Sequence, residues 1–324
     1  MRAMVLAAGL GTRLLPLTSL RPKCLMPVMN RPLLGLWLER LAALGVRRAV
    51  VNTHHLAPLV RAWLAGWPDD GLTVLESHEP LILGTGGGLV AARPLLGQGD
   101  FLLVNSDVLA AADLAGLSEA RRASGALAVL GLIDDARFNS VGLDEDGRVL
   151  GFKGDGGGGA AGPGGGLERA ARWLTYSGLA ALSTELLDYL PPAGFSTLVQ
   201  GLNAAIAAGR PVLGADLAGF WDDLGTPERL LDLHHRLIHQ PPTGLEGLAP
   251  AGPLVLGPGA ELGDGAVVEG FCVLGQGARL MPGSRVRDSL LLPGAVLAAG
   301  AVVEEAVLGD GFLARGHIRG GAHA

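Results

Sequence analysis

The sequence predicts an α/β domain built on a doubly wound, mostly parallel sheet, followed by a parallel β-helix. Three observations lead there. From Arg2 to about His239, short apolar runs alternate with amphipathic stretches of helical period, the signature of parallel strands joined by helices. At residues 239–253, "HQPPTGLEGLAPAGP", prolines and glycines end that pattern. Beyond them aliphatic residues recur at every sixth position.

Taken in order, "RAMVLAA" at residues 2–8 is a strand, "PLLGLWLERLAALG" a helix opened by Pro32 and closed by Gly45, and "RRAVVN" a second strand. "HHLAPLVRAWLAG" is a helix, "LTVLES" a strand, "GGGLVAARPLLG" a helix, and "DFLLVNSD" a strand ending on Asp107. In sheets wound this way ligands bind beyond the carboxyl ends of the strands, where the turn at Gly9 and Asp107 both fall. Residues 154–166, "GDGGGGAAGPGGG", can pack no core and are read as a flexible surface loop.

In the C-terminal part, Leu256, Leu262, Val268, Leu274, Leu280 and Val286 keep the six-residue spacing, and after a one-residue slip it resumes at Leu291, Leu297 and Val303, then slips again to Leu308. Four positions after each of the first five stands a small residue, Ala260, Ala266, Cys272, Ala278 and Ser284. Each strand of a parallel β-helix points one aliphatic side chain inward, and each corner needs a small residue. The expected domains are therefore 1–240, a linker at 241–252, a β-helix at 253–316 and a tail at 317–324, the helix running to about three coils.

Composition bounds the partners. With 49% hydrophobic and 17% charged residues and a net charge of -6 over 324 residues, the chain has a sizeable core and no basic stripe to neutralise a nucleic-acid backbone. Residues 4–10 are a strand running into a Gly-Thr-Arg turn rather than a signal-peptide core, and no apolar run reaches the ~18 residues that cross a bilayer. Cys24 and Cys272 show no disulfide or zinc spacing, so a cytoplasmic location, no membrane and small-molecule partners are expected.

The candidate chemistry begins at residues 4–27, "MVLAAGLGTRLLPLTSLRPKCLMP". A glycine turn directly after a strand presents backbone N–H groups to an anion. It is not the dinucleotide fingerprint, since Leu14 stands where the third glycine should be, and it lacks the Gly-Lys-Ser/Thr ending of a P-loop. Arg13 brings a fixed fork of donors suited to phosphate and Lys23 a point charge on a long stem. Two cations around an anion-binding turn suit a substrate with several phosphates, and a divalent cation would take the carboxylates of Asp107 and Asp223.

"LAAGLGTRLLPLT" followed by "RPKCLMP" resembles the signature of the sugar-1-phosphate nucleotidyltransferases, with Gly9, Gly11, Thr12, Arg13, Pro16, Thr18, Pro22, Lys23 and Pro27 in register. "EPLILGTGGGL" resembles that family's nucleotide loop, "NSD" and "WDDLGTPERL" its two aspartate motifs, and "LTYSGLAAL" its sugar-binding strand. The resemblance implies a Rossmann-like sheet of the GT-A kind with a left-handed β-helix appended. It also implies a reaction in which a sugar-1-phosphate oxygen attacks the α-phosphorus of a nucleoside triphosphate and pyrophosphate leaves.

By that resemblance Arg13 holds the leaving pyrophosphate and Lys23 neutralises the α-phosphate and the incoming sugar phosphate, while Asp107 and Asp223 bind Mg²⁺. Ala8, Gly9, Gly11 and Thr12, with Glu79, Gly84, Thr85, Gly86 and Gly87, hold the nucleotide; Asn105, Lys153, Tyr176, Ser177 and Gly178 hold the sugar. Glu79 leaves the base open, because a carboxylate accepts from guanine and from uracil alike. Many family members carry a Glu-Lys-Pro triplet where this chain has Lys153 and a glycine run, which leaves the sugar open too.

The first domain resembles uridylyltransferases acting on N-acetylmuramic acid 1-phosphate, and the β-helix resembles that of mannose-1-phosphate guanylyltransferases. GTP with mannose 1-phosphate and UTP with an N-acetylated sugar 1-phosphate are accordingly the expected pairs, with a homo-oligomer formed through the β-helix. Two rivals are an inactive regulatory paralogue that binds nucleotide sugars and a hexapeptide acyltransferase. Intact Arg13, Lys23, Asp107 and Asp223 oppose the first; the second needs a histidine base, and none lies between Pro250 and Gly316.

Overall fold

A computed structural model describes residues 1–68, 71–154 and 166–324. Of the glycine-rich stretch read as a surface loop, residues 155–165 lie outside the described residues. The described chain forms two compact units: Met1–Gly9 with Trp37–Val108 and Ala112–Trp221, and Leu10–Leu36 with Leu109–Ala111 and Asp222–Ala324.

The first unit is organised by a nine-stranded sheet. Strands β1 (Arg2–Leu6), β2 (Arg48–Thr53), β3 (Thr73–His78) and β4 (Asp100–Asn105) pair in the order 3-2-1-4, all parallel. Their connections carry the helices α1 (Leu33–Ala43), α2 (Ala57–Ala65) and α3 (Gly84–Leu96). Apolar residues on successive positions mark β1 and β2 as strands covered on both faces: Ala3, Met4, Val5, Ala49, Val50 and Val51 are all fully buried.

The other half of the sheet departs from the expected parallel winding. Strand β5 (Ala128–Ile133) pairs in parallel with β9 (Val212–Asp216), but β8 (Arg172–Ser183) runs antiparallel to β4, β5 and β6 (Val141–Leu143). Only a short turn separates β6 from β7 (Val149–Phe152), too little for a crossover helix, so these two pair antiparallel. The core against the sheet is filled by Leu89, Ala92 and Leu96 of α3 and by Leu198, Leu202 and Ala205 of α5 (Leu198–Ala207). Burying each such leucine stabilises the fold by about 1.5–3 kcal/mol. A further helix is α4 (Leu114–Ser124), capped by Asp113; α6 (Pro227–His239), capped by Thr226, belongs to the second unit.

In the second unit, short strands between Leu254 and His323 stack in parallel into a seven-stranded and a four-stranded sheet. Leu254 pairs with Cys272 and Glu261 with Arg279, an offset of 18 residues that equals three hexapeptides. The offset falls to 17 where Cys272 pairs with Ser289 and Arg279 with Val296, and is still 17 where Val296 pairs with Leu313, which absorbs the slips seen in the sequence. Leu274, Leu280, Val286, Leu291, Leu297, Val303 and Leu308 point into one interior, with Ala278, Ala295 and Ala301 at its corners. Leu256 and Leu262 belong to the first coil and stay exposed.

Two expectations are corrected. Residues 317–324 are not a tail: His317–Arg319 pairs with Val302–Glu304, Ala322–His323 pairs with Val307–Leu308, and Ile318 packs on the interior. The step shortens to 15 residues there, so the six-residue rule stops reporting the coil before the coil ends. Nor does the chain divide near residue 240. Helix α6 and the signature loop group with the coil because Met29, Asn30 and Arg21 of the loop are tied to His234, Leu274 and Asp310. Among the described residues no helix is long and apolar enough to cross a membrane. Cys24 and Cys272 are both buried and unbridged, and burial pushes the Cys24 thiol up to about 12.

Candidate active site

In the first unit the strand ends are fixed from behind by buried polar groups. Asn52, at the end of β2, accepts from the Ala7 N–H at 2.7 Å and donates to Glu79 Oε1 at 2.7 Å. Glu79 Oε2 accepts from the Leu83 N–H at 2.9 Å. With 1% of its surface exposed and both oxygens engaged, Glu79 braces the loop before α3. The carboxylate expected beside a base is thereby held in one orientation.

The glycines of α3 serve close packing in the same way. A Cβ on Gly84 would stand 2.5 Å from Ser196 O, one on Gly86 2.7 Å from Thr197 O, and one on Gly88 2.6 Å from Glu79 Oε1. A Cβ on Gly87 would collide with Gly194 O. Ser196 O accepts from the Gly86 and Gly87 N–H groups, and Thr85 Oγ1 accepts from the Leu198 N–H at 2.8 Å. The chain at 194–198 therefore lies on this loop, and the glycines let it approach. Gly9 is different. An added Cβ there meets no described atom within 4 Å, so the space in front of the β1 turn is open.

Asp107 sits in the turn after β4, half-buried, with the turn tied to β1 by Ser106 Oγ donating to Leu6 O at 2.7 Å. Asn105, at the end of β4, faces Gly178, which adopts a φ of +82° and has no room for a Cβ. That glycine belongs to a bulge in β8. Ser177 staples the bulge by donating to Gly131 O at 2.7 Å and accepting from the Leu179 N–H at 3.2 Å, so its hydroxyl, expected on a sugar, is already engaged. The Tyr176 hydroxyl is buried without a partner among the described residues, and burial raises its pKa. Lys153 rests its ammonium 3.4 Å from the centre of the Trp173 ring, a cation–π contact that holds it at the end of β7.

In the second unit the signature loop folds back on itself. Gly11 has a φ of +66°, its carbonyl accepts from Thr18 Oγ1 at 2.9 Å, and a Cβ there would stand 2.8 Å from Thr18 Cγ2 and 3.3 Å from Lys23 Cβ. A left-handed residue pressed against two side chains must be glycine. The closure brings Lys23, only 9% exposed, beneath the turn that carries Thr12 and Arg13. Arg13 lies over Gly225 and reaches Asp223 Oδ2 at 3.4 Å, while Arg229 pairs with Asp223 Oδ1.

Three charged residues escaped the reading of the sequence. Asp222 is 4% exposed, and its Oδ1 accepts from Arg229 Nε at 3.0 Å while its Oδ2 pairs with Arg236. The signal was there: two adjacent aspartates followed by arginines at 229 and 236, one helical face of α6. For a divalent ion, Asp107 and Asp223 offer hard oxygen donors at strand ends. The two belong to different units, and among the described residues no three ligating side chains gather.

The nucleotidyl transferase family profile matches residues 2–154. A mannose-1-phosphate guanylyltransferase of Mycobacterium tuberculosis is 30% identical over 93% of this chain and 82% of its own length. An N-acetylmuramate alpha-1-phosphate uridylyltransferase of Caulobacter vibrioides is 35% identical over 72% of this chain and 96% of its own. The crystal structure of HddC from Yersinia pseudotuberculosis complexed with GMP-PN shares the fold, with a TM-score of 0.59 at 20% identity over 72% of this chain and 98% of that one. Similarity at this level, spread across the coil as well as the sheet, places the chain in the nucleotidyl transferase family as a sugar-1-phosphate nucleotidyltransferase.

Proposed function

We propose that the chain condenses GTP with mannose 1-phosphate to give GDP-mannose and pyrophosphate. A phosphate oxygen of the sugar forms the new bond to the α-phosphorus, and the bond from that phosphorus to the β-phosphate oxygen breaks. No general base is needed, because the nucleophile is already an anion. The observation that carries the reading is the closed signature loop, in which Gly11 presses on Lys23 and Arg13 projects from the adjacent turn. In this reading Arg13 holds the departing pyrophosphate and Lys23 the α-phosphate. Ala8, Gly9, Gly11 and Thr12 supply the turn. Asp107 and Asp223 would each be a carboxylate ligand for Mg²⁺, which would supply positive charge against the phosphates.

The guanylyl and mannosyl assignment is supported by the reach of the similarity to the M. tuberculosis relative, which includes the coil. The hexapeptide spacing supports a left-handed winding of that coil, and its exposed Leu256, Leu262 and Leu313 support self-association through it. A second reading, UTP with N-acetylmuramate 1-phosphate, is favoured by the higher identity of the C. vibrioides relative, 35% over 72% of this chain. Side-by-side kcat/KM values for the two pairs in Mg²⁺ test the choice. The first reading expects GTP with mannose 1-phosphate to lead by about a hundredfold or more, and the reverse order selects the second.

A further inference from the structure

We propose that the C-terminal coil is part of the catalytic scaffold: Asp310, on the coil, is a positioning residue that holds the Lys23 turn of the signature loop through Arg21. The pair is bidentate, with Arg21 Nε donating to Asp310 Oδ2 at 2.9 Å and Nη2 bonding Oδ1. Both side chains are 22% exposed, so solvent screens them less than a surface pair. Arg21 lies two residues before Lys23, and its Nη1 points at Leu25 O, two residues after, at 3.5 Å. One guanidinium thus spans the turn that carries Lys23 and anchors it 289 residues away in sequence.

Two further ties hold the same loop. Met29 and Asn30 both have positive φ, +48° and +62°, in the tight turn between Pro27–Val28 and Arg31–Pro32. Such a conformation costs a methionine on the order of 1 kcal/mol and persists only where surroundings enforce it. The surroundings are α6 and the coil: Met29 N–H donates to His234 Nε2 at 3.1 Å, and Asn30 Nδ2 donates to Leu274 O at 2.9 Å. A loop bearing two cations, held at residues 21, 29 and 30, keeps its charges where the transition state needs them without help from the substrate.

The inference rests on the proposed role of Lys23, and two readouts on the full-length chain separate the claims. The first is steady-state pyrophosphate release by wild type, Arg21→Ala, Asp310→Ala, the double variant and Asp310→Glu. Each alanine variant is expected to lower kcat by about ten- to a hundredfold with the nucleotide KM little moved. The double variant should be no worse than either single, and Asp310→Glu should recover most of the loss. The second is amide hydrogen exchange of residues 10–27, expected to quicken in Asp310→Ala while the coil's own amides stay protected. A kcat within twofold of wild type, single losses that multiply in the double variant, or unchanged exchange in 10–27 would each overturn the proposal. A wild-type chain silent with every substrate pair would count against the functional reading alone, and the exchange comparison would still decide the clamp.

Discussion

Lys23 is a cation held at 9% exposure under a glycine turn, and a charge kept that dry acts strongly on whatever anion reaches it. Lys23→Ala is expected to lower kcat by about 10²–10³ with the melting temperature nearly unchanged, measured by pyrophosphate release beside a thermal scan. Gly11→Ala should instead fail in both respects, because its Cβ meets Thr18 at 2.8 Å in a conformation that disfavours any side chain. At this scale the sequence revealed residue types but not who uses them. Glu79 and Ser177 look like ligand groups in a string of letters, and only the structure shows Asn52, Leu83, Gly131 and Leu179 taking their hydrogen bonds. The glycines after Leu83 read as a nucleotide loop, and the structure places a further demand on them, since the backbone at 194–197 leaves no room for a Cβ at Gly84, Gly86 or Gly87. That contact spans more than a hundred residues, and no local pattern reports it.

At the scale of elements, α6 carries a buried histidine with a defined tautomer. His234 Nδ1 lies 2.7 Å from Leu230 O, to which it donates, and Nε2 accepts from Met29 N–H, so a second proton would face an N–H group. Burial lowers its pKa to about 4 from an ordinary 6.5. Above pH ~6.5 the ring is neutral in both states and contributes no pH dependence. Between there and pH ~4 the unfolded chain takes up a proton that the folded chain refuses, so stability falls by about 3 kcal/mol in all. Urea midpoints at pH 7 and pH 4.5 check this, and His234→Gln should flatten the difference. The cap of the same helix, Thr226, accepts from the Arg229 N–H at 3.3 Å, and Thr226→Ala should cost about 1 kcal/mol in chemical denaturation. Helix α6 was legible from its apolar face. The bulge of β8 was not, since "YSG" inside an apolar run carries no signal of which strand will oppose it.

For the molecule as a whole, the sheet and the coil were both legible because each imposes a period on the chain, alternating strand and helix in one and six residues in the other. What periods cannot show is partnership across distance. The signature loop folds with the coil rather than with the strand that precedes it, through side-chain ties at Arg21, Met29 and Asn30. Leu280, 1% exposed within the coil interior, gives the direct probe of that dependence. Leu280→Ala should destabilise the second unit by about 2–5 kcal/mol. Because the loop belongs to that unit, activity should fall at temperatures where the first unit's sheet is still intact by circular dichroism. Phosphorus NMR of GTP and mannose 1-phosphate with the protein in Mg²⁺ reads the reaction itself, through the amounts of pyrophosphate and nucleotide sugar formed. Equal amounts of the two products are expected, none when either substrate is withheld, and none from Asp107→Ala. Phosphate or pyrophosphate released from GTP without the sugar, or no product from any nucleotide and sugar phosphate, would contradict the proposed reaction.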